Sequence, residues 1–424
     1  MEYAFIAVGV IMAIAVIITL MKVVKGTRLG TVNTNSDGDK ETSRLCETLG
    51  GEELFNLANG LVDEDGGKKD VGLWKSFMSA AAKKSCVPAM REWGKYCKFS
   101  NNNEAVFWLE RAANAGDAQA GIELGKIYYY GANYGNPIIE KNRELAAKWF
   151  KQFAEAGDAA AQKEYGDYLM CEKKDDKAAL EWYEKSAEQG FAEAVNEIAD
   201  NYYYNEEPEK ALENYLKAAK LGSSDAEHSL GEYYSDLDEP DYKEAFGWYL
   251  KAAEHGDTIA MCRVGEMYLE GKGVLKDCSA AVEWFEKAAA DHSVRSIYML
   301  GKCYAEGLGV EPNISKAIEL ITDAADYDAE AQYEMGMRCL EGNGVKKDIG
   351  KAVKYLEKSG NGRYHNNAAA NYKLGELYYE GKLVKKDDEL AKKYWYMSAG
   401  CGNQDAIECL KIYFGETVEE EEEE

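Results

Sequence analysis

The chain has 424 residues, with 76 acidic against 50 basic side chains, a formal charge of −26 and ten cysteines. That balance excludes nucleic acid as a partner, because phosphate binding needs a basic footprint that releases counterions. It suits a basic partner or high solubility. The cysteines form no Cys-x-x-Cys and follow no period, which points to unpaired thiols in a reducing compartment.

The chain opens on Tyr3 to Met21, an unbroken run of 19 uncharged, mostly apolar residues. That length spans a bilayer as a helix. No basic residue precedes the run and no small-residue cleavage site follows it, so the reading is an uncleaved anchor over 3–24. Lys22, Lys25 and Arg28 follow it. The positive-inside rule then puts the remainder on the cytoplasmic side of a single-pass membrane protein. The opposite, extracytoplasmic placement on the same anchor is the alternative. Residues 25–52 read as a polar linker, with Thr31 to Ser43 rich in Gly, Asp, Asn and Thr. Two amphipathic stretches, Leu54 to Val62 and Leu73 to Lys84, read as a degenerate first helix pair within 53–88.

From residue 89 to 402 one phrase recurs. Its clearest copy runs Val264-Gly265, Tyr268, Gly271, Gly273-Val274, Asp277, Ala281, Trp284-Phe285 and Lys287-Ala288-Ala289. The first glycine, or its substitute, falls at Gly94, Gly125, Gly166, Ala199, Gly231, Gly265, Gly301, Gly336 and Gly375. A unit of this length cannot bury its own apolar face, so copies must stack into an array. Each unit predicts two helices. The first, helix A, carries the glycine, where a neighbouring helix can approach closely, and is expected to begin four or five residues before it. The tyrosine three residues on (Tyr128, Tyr202, Tyr234, Tyr268, Tyr304, Tyr378) shares that face.

Gly271-x-Gly273, Gly307-x-Gly309 and Gly342-x-Gly344 predict left-handed turns that end helix A. Asp277, Asn313, Asp348 and Asp387 then cap helix B. Leu383 replaces the second glycine of the last copy, so that turn should differ. The copies from Gly166 to Gly231 lack the glycine turn. Helix B brings an aromatic pair (Trp149-Phe150, Trp182-Tyr183, Trp248-Tyr249, Trp284-Phe285, Tyr394-Trp395) and a small-residue step. Rings at a fixed phase read as core, with the large indole filling the wedge between helix pairs. Cys303 and Cys339 hold near-equivalent places and read as apolar packing. Cys401 and Cys409 are the one pair spaced to link adjacent helices.

These residues resemble the Sel-one-like repeat, a relative of the tetratricopeptide repeat. The resemblance is carried over roughly Ala89 to Ala406 and is strongest from Met261 to Gly400. It implies an all-α, right-handed α-solenoid of antiparallel helix pairs, here behind a transmembrane helix, with helix A lining a concave surface. It also implies an adaptor or scaffold that binds protein or peptide ligands. On that reading Tyr298, Tyr333 and Tyr372, with Tyr129, Tyr203 and Tyr379, face the groove as rigid, polar-tipped contacts. Glu270, Glu306, Glu341 and Glu380 stand at the end of helix A, where they oppose the macrodipole and invite a basic partner. Residues 403–415 read as a capping helix, and 416–424, ending in six glutamates, as a disordered acidic tail.

The same resemblance raises β-lactam binding or hydrolysis. No serine has lysine three residues on, no His-Glu-x-x-His occurs, and His228, His255, His292 and His365 form no zinc spacing. No catalytic residue, cofactor or metal is assigned. The expected function is a membrane-tethered, non-catalytic scaffold.

Overall fold

The computed structural model describes residues 36–62, 67–132, 136–361 and 367–416. The expected anchor at 3–24 lies outside them, as do His365 and all of the acidic tail beyond Glu416. Among the described residues no helix is long and apolar enough to cross a membrane. They form helices throughout, joined by short turns with two isolated β-bridges and no strand.

The chain divides into two units, 1–182 and 183–424. In the first, a helix at Ser36–Thr48 occupies part of the expected linker, so 25–52 is not a plain spacer. Its Cys46 thiol contacts the Ser76 carbonyl, and Lys84 Nζ donates to the Glu47 carbonyl at 3.0 Å. The first pair comprises Gly51–Asn59 and Val71–Lys83, starting two to three residues earlier than expected. Trp74, Phe77 and Met78 are buried there, in a cluster that continues through Leu109 to Phe150 and Phe153. This pair therefore packs into the same cluster as the helices that follow it, without the glycine phrase.

In the second unit, pairs such as Thr258–Glu270 with Cys278–Ala290 and Val294–Glu306 with Ile314–Ala324 follow one another. The core is not a single centre. It comprises successive small clusters, one or two per repeat, as an additive array requires. The last helix, Gln404–Phe414, closes the unit with Ala406 and Leu410 buried.

Every helix A begins seven residues before its glycine, as Ala118, Thr258, Val294 and Ala368 show, rather than four or five. The cause is a cap the phrase did not include. Asp117, Asp158, Asp257 and Asp328 each accept from the amide three residues on, at 2.7–2.9 Å. A cap oxygen satisfies an otherwise orphaned amide and sets where the helix starts.

The two helices of a repeat are held at three points. At the middle, the helix-A glycine lies flat against helix B: an added Cβ would sit 2.3 Å from Phe150 at Gly125, 2.5 Å from Phe285 at Gly265 and 2.4 Å from Trp395 at Gly375. At the turn, the amide of each helix-B cap donates to the carbonyl of the helix-A tyrosine or its substitute. The bonds are Asp277 to Tyr268 at 3.0 Å, Asn313 to Tyr304 at 2.8 Å and Asp348 to Cys339 at 2.9 Å. At the far end, Ser359 and Ser398 stand where other copies carry alanine, and donate to the Ala329 and Ala368 carbonyls at 2.6 and 2.7 Å.

The aromatic pair divides its labour differently from the sequence expectation. The second ring is the core: Phe150, Tyr183, Tyr249, Phe285 and Trp395 are all buried. The first is only half-buried at Trp149, Trp182, Trp248 and Trp284, although Tyr394 is buried. The glycine notch faces the second ring, so the indole sits at the rim. There Lys251 lies over Trp248 at 3.6 Å and Lys287 over Trp284 at 4.0 Å.

The glycine turns adopt the expected conformation, with φ of 75° and 71° at Gly271 and Gly273. Leu383 has no positive φ and is exposed, so the last turn does differ. Where the glycines are lost, Lys174 at φ 52° and Glu206 at φ 59° take the left-handed position themselves. No cysteine is disulfide-bonded, Cys401 and Cys409 included, and Cys303 and Cys339 are buried.

Candidate functional site

The candidate contact residues lie on helix A, and that helix is fixed to the next helix A by charge. In the first unit Arg91 Nη1 meets Asp117 at 2.8 Å, Lys98 meets Glu123 at 3.7 Å and Lys126 meets Glu164 at 2.8 Å. In the second, Arg295 joins the helices A of three successive repeats: its Nε lies 3.1 Å from Glu266 and its Nη1 2.7 Å from Glu330. Burial works against the Arg295 charge, yet the Glu330 and Glu266 carboxylates hold its pKa above the ordinary arginine value. The sequence reading missed these pairs. Their signal was present only as one acid and one base at matched phases of neighbouring copies.

His228 is part of the same lacing. It lies on Ser224–Ser235, with Nε2 3.4 Å from Glu232 and Nδ1 3.2 Å from Asp257, the latter without hydrogen-bond alignment. Burial alone would lower its pKa, but Asp257 and Glu232 outweigh burial and raise it to about 9. Nearby, His255 Nδ1 lies 2.7 Å from Glu227. Only the contact of His228 with Asp257, the N-cap of the next helix A, links successive repeats; Glu232 lies on the same helix as His228, and Glu227 on the helix paired with the one that ends at His255. Among the described residues no group of three His, Cys, Asp or Glu is placed to hold a metal ion.

The six tyrosines assigned to the groove fall into different environments. Tyr298 is buried, 4% exposed, with its hydroxyl 3.3 Å from Glu334 on the next helix A. It is therefore a strut between repeats and not an open contact. Tyr379 is covered by the capping helix, with ring centroids 4.3 Å from Tyr413 and 6.3 Å from Phe414. Tyr372 packs in that same cluster beside Cys409. Tyr333 is half-buried against the Cys339 cluster. Tyr129 donates to Glu172 at 3.0 Å, and Arg143 braces both, 2.7 Å from the carboxylate and 5.6 Å from the ring. Tyr203 alone of the six is exposed. These rings share one face by helical phase, but phase does not tell whether the next repeat covers that face.

The four glutamates behave more uniformly. Glu270, Glu306, Glu341 and Glu380 are all exposed, each directly before a glycine in the left-handed conformation. Lys272 pairs with Glu270 at 2.6 Å and Lys382 with Glu380 at 3.3 Å. These lysines offset part of the unfavourable interaction with the helix C-terminus.

The Sel1 repeat profile matches nine consecutive segments: 88–117, 118–158, 159–191, 194–223, 224–257, 258–293, 294–326, 329–362 and 368–403. The chain belongs to the Sel1 repeat family. Each matched segment contains one of the nine helix-A positions described above. The sel1-like repeat-containing protein L21 of Acanthamoeba polyphaga mimivirus is 39% identical over 77 residues, which are 18% of this chain and 14% of that relative. The chain thus matches about a seventh of that relative's length. The solved structure of c5321, a protective antigen of uropathogenic Escherichia coli with the same repeat fold, is 27% identical. It covers 90% of this chain and 83% of its own, with a TM-score of 0.52. A Sel1 repeat protein of Oxalobacter formigenes is 30% identical over 52% of this chain and 90% of its own, with a TM-score of 0.47. Sel1 repeats are helical scaffolds suited to protein interaction, and the fold described here is that of the family.

Proposed function

We propose that this Sel1 repeat protein is a non-catalytic, membrane-tethered scaffold that captures basic protein segments at the exposed carboxylates ending successive helices A. The observation that carries the reading is the row Glu270, Glu306, Glu341 and Glu380, exposed at one phase of four repeats. A periodic acidic row matches an extended partner better than a compact small molecule, because each repeat offers the same contact one step along. The formal charge of −26 strengthens steering toward a basic partner.

Membrane tethering rests on the 19 apolar residues Tyr3 to Met21, and cytoplasmic placement on Lys22, Lys25 and Arg28 after them. The test uses the full chain in its own membrane. Changing all four glutamates to glutamine should strip most specifically captured partners while leaving helical circular dichroism unaltered. Retention of the same partners overturns the docking reading. For sidedness, Cys401 is exposed. It should react with an impermeant maleimide only after permeabilisation, and labelling in intact cells reverses the orientation.

A further inference from the structure

The stretch between Tyr202 and Glu239 departs most from the repeat phrase, and it concentrates tyrosine. Helix Ala192–Tyr204 ends in Tyr202, Tyr203 and Tyr204, and helix Ser224–Ser235 carries Tyr233 and Tyr234 near its end. Four of these rings form a chain of edge contacts across the two helices. Tyr204 meets Tyr203 at 6.0 Å and 75°, Tyr203 meets Tyr233 at 6.3 Å and 63°, and Tyr233 meets Tyr234 at 5.5 Å and 90°. Tyr233 is buried and forms the floor, Tyr203 stands partly open above it, and Tyr204 is 82% exposed.

Carboxylates surround them. Burial, then Asp236 and Glu232, push the Tyr203 phenol above its ordinary pKa, which places both acids within electrostatic reach of that ring. Glu232 is partly neutralised by His228 at 3.4 Å. Asp236 is exposed and, among the described residues, has no cationic partner, and Asp238 and Glu239 beside it are exposed as well. Several half-buried rings of this chain are covered by its own cations: Lys210 over Tyr202 at 5.1 Å, Lys316 over Tyr304 at 4.0 Å, Lys287 over Trp284 at 4.0 Å. Among the described residues no such cation lies over Tyr203, Tyr204 or Tyr233.

We infer that the Tyr203–Tyr204–Tyr233 patch, with Asp236, is a receptor for an arginine side chain of a partner protein. The inference deepens the scaffold reading and rests on it, adding a specific anchor to the acidic row. A guanidinium suits the place better than an ammonium. It is weakly hydrated, stacks on a ring face and can still direct a two-pronged bond to a carboxylate.

The probes are two fluorescein-labelled octapeptides, Gly-Ser-Gly-Arg-Gly-Arg-Gly-Ser and its citrulline counterpart, titrated by anisotropy into the full chain in detergent. The arginine peptide should bind about tenfold more tightly than the uncharged one, the scale of a ring-stacked cation with a carboxylate. D236N, at an exposed side chain, should remove most of that difference, and Y204S likewise, both with unchanged circular dichroism. E286Q, an equal charge change on an exposed helix face elsewhere, should leave it within about twofold. Equal binding of the two peptides overturns the inference, and so does an equal loss in D236N and E286Q, which marks bulk charge alone. Should either occur while the four-glutamine variant still loses its partners, only this anchor falls and the scaffold reading stands.

Discussion

A Cβ on Gly273 would lie 1.9 Å from the carbonyl oxygen of Tyr242, the first residue of helix B in the preceding repeat. The second turn glycine is therefore an inter-repeat contact as well as a reversal of the chain. Gly309 repeats the relationship with Cys278, 2.2 Å from its carbonyl oxygen, whereas Gly344 meets the Ile314 side chain, 2.7 Å from Cγ2. Gly256, by contrast, has a φ of 97° and nothing within 4 Å of an added Cβ. Gly256→Ala should then cost about 1 kcal/mol, the conformational penalty alone. Gly273→Ala adds a backbone clash that the chain must move to relieve, and should cost roughly 3 kcal/mol or more. Thermal unfolding of the two variants checks the order, and equal losses would refute the contact.

Phe285 and Trp284 offer a second comparison. Phe285 is fully buried against Gly265, whereas Trp284 is half-buried beneath Lys287. Phe285→Ala should lose about 3–5 kcal/mol and uncouple the neighbouring repeats. Trp284→Ala should lose roughly half as much despite removing the larger ring, because water already reaches it. Denaturant titration distinguishes the two, and a larger loss at Trp284 would reverse the assignment of the core ring.

His228 makes stability depend on pH. Its folded pKa of about 9 lies above the ordinary value of 6.5. The protonated ring's contribution is thus fully present below about pH 6.5 and lost as pH rises through about 9. Allowing for residual screening, the loss is on the order of 2 kcal/mol. His228→Asn should be less stable at pH 6 and should flatten the stability profile between pH 6.5 and 9. A variant that keeps the native slope across that window would show that other groups supply it.

His292 has a φ of 63° at the inter-repeat turn, where other copies place Gly116, Gly157, Gly222 and Gly256. A non-glycine residue pays conformational strain there that glycine avoids. His292→Gly should stabilise the chain by about 0.5–1 kcal/mol, net of the entropy glycine adds to the unfolded state. Glu206→Gly, at φ 59°, should act in the same direction. A lowered midpoint in both variants would mean that the side chains make contacts outweighing the strain.

The repeat count, the turn conformations and the helix-B caps were legible in sequence because each depends on a few adjacent residues. Gly271 and Gly273 adopt positive φ, and Asp277 accepts from the amides of Ser279 and Ala280, both at 3.0 Å. The start of helix A was misplaced only because its cap, Asp257 or its counterpart, was left out of the phrase. The groove assignment was less legible. Tyr298 and Tyr203 look alike in phase, yet one is a buried strut to Glu334 and the other is open beside Asp236.

Local chemistry in the sequence therefore determined that the chain is a stack of paired helices, since glycine, capping oxygen and apolar period each act within one repeat. Which ring of an aromatic pair is core, which tyrosine is covered, and which charges join one repeat to the next were decided only by tertiary structure. The physical reason is that exposure belongs to a residue and its neighbours in space together. In a stacked array those neighbours come from a repeat some thirty to forty residues away, at a side-chain separation that no single copy encodes.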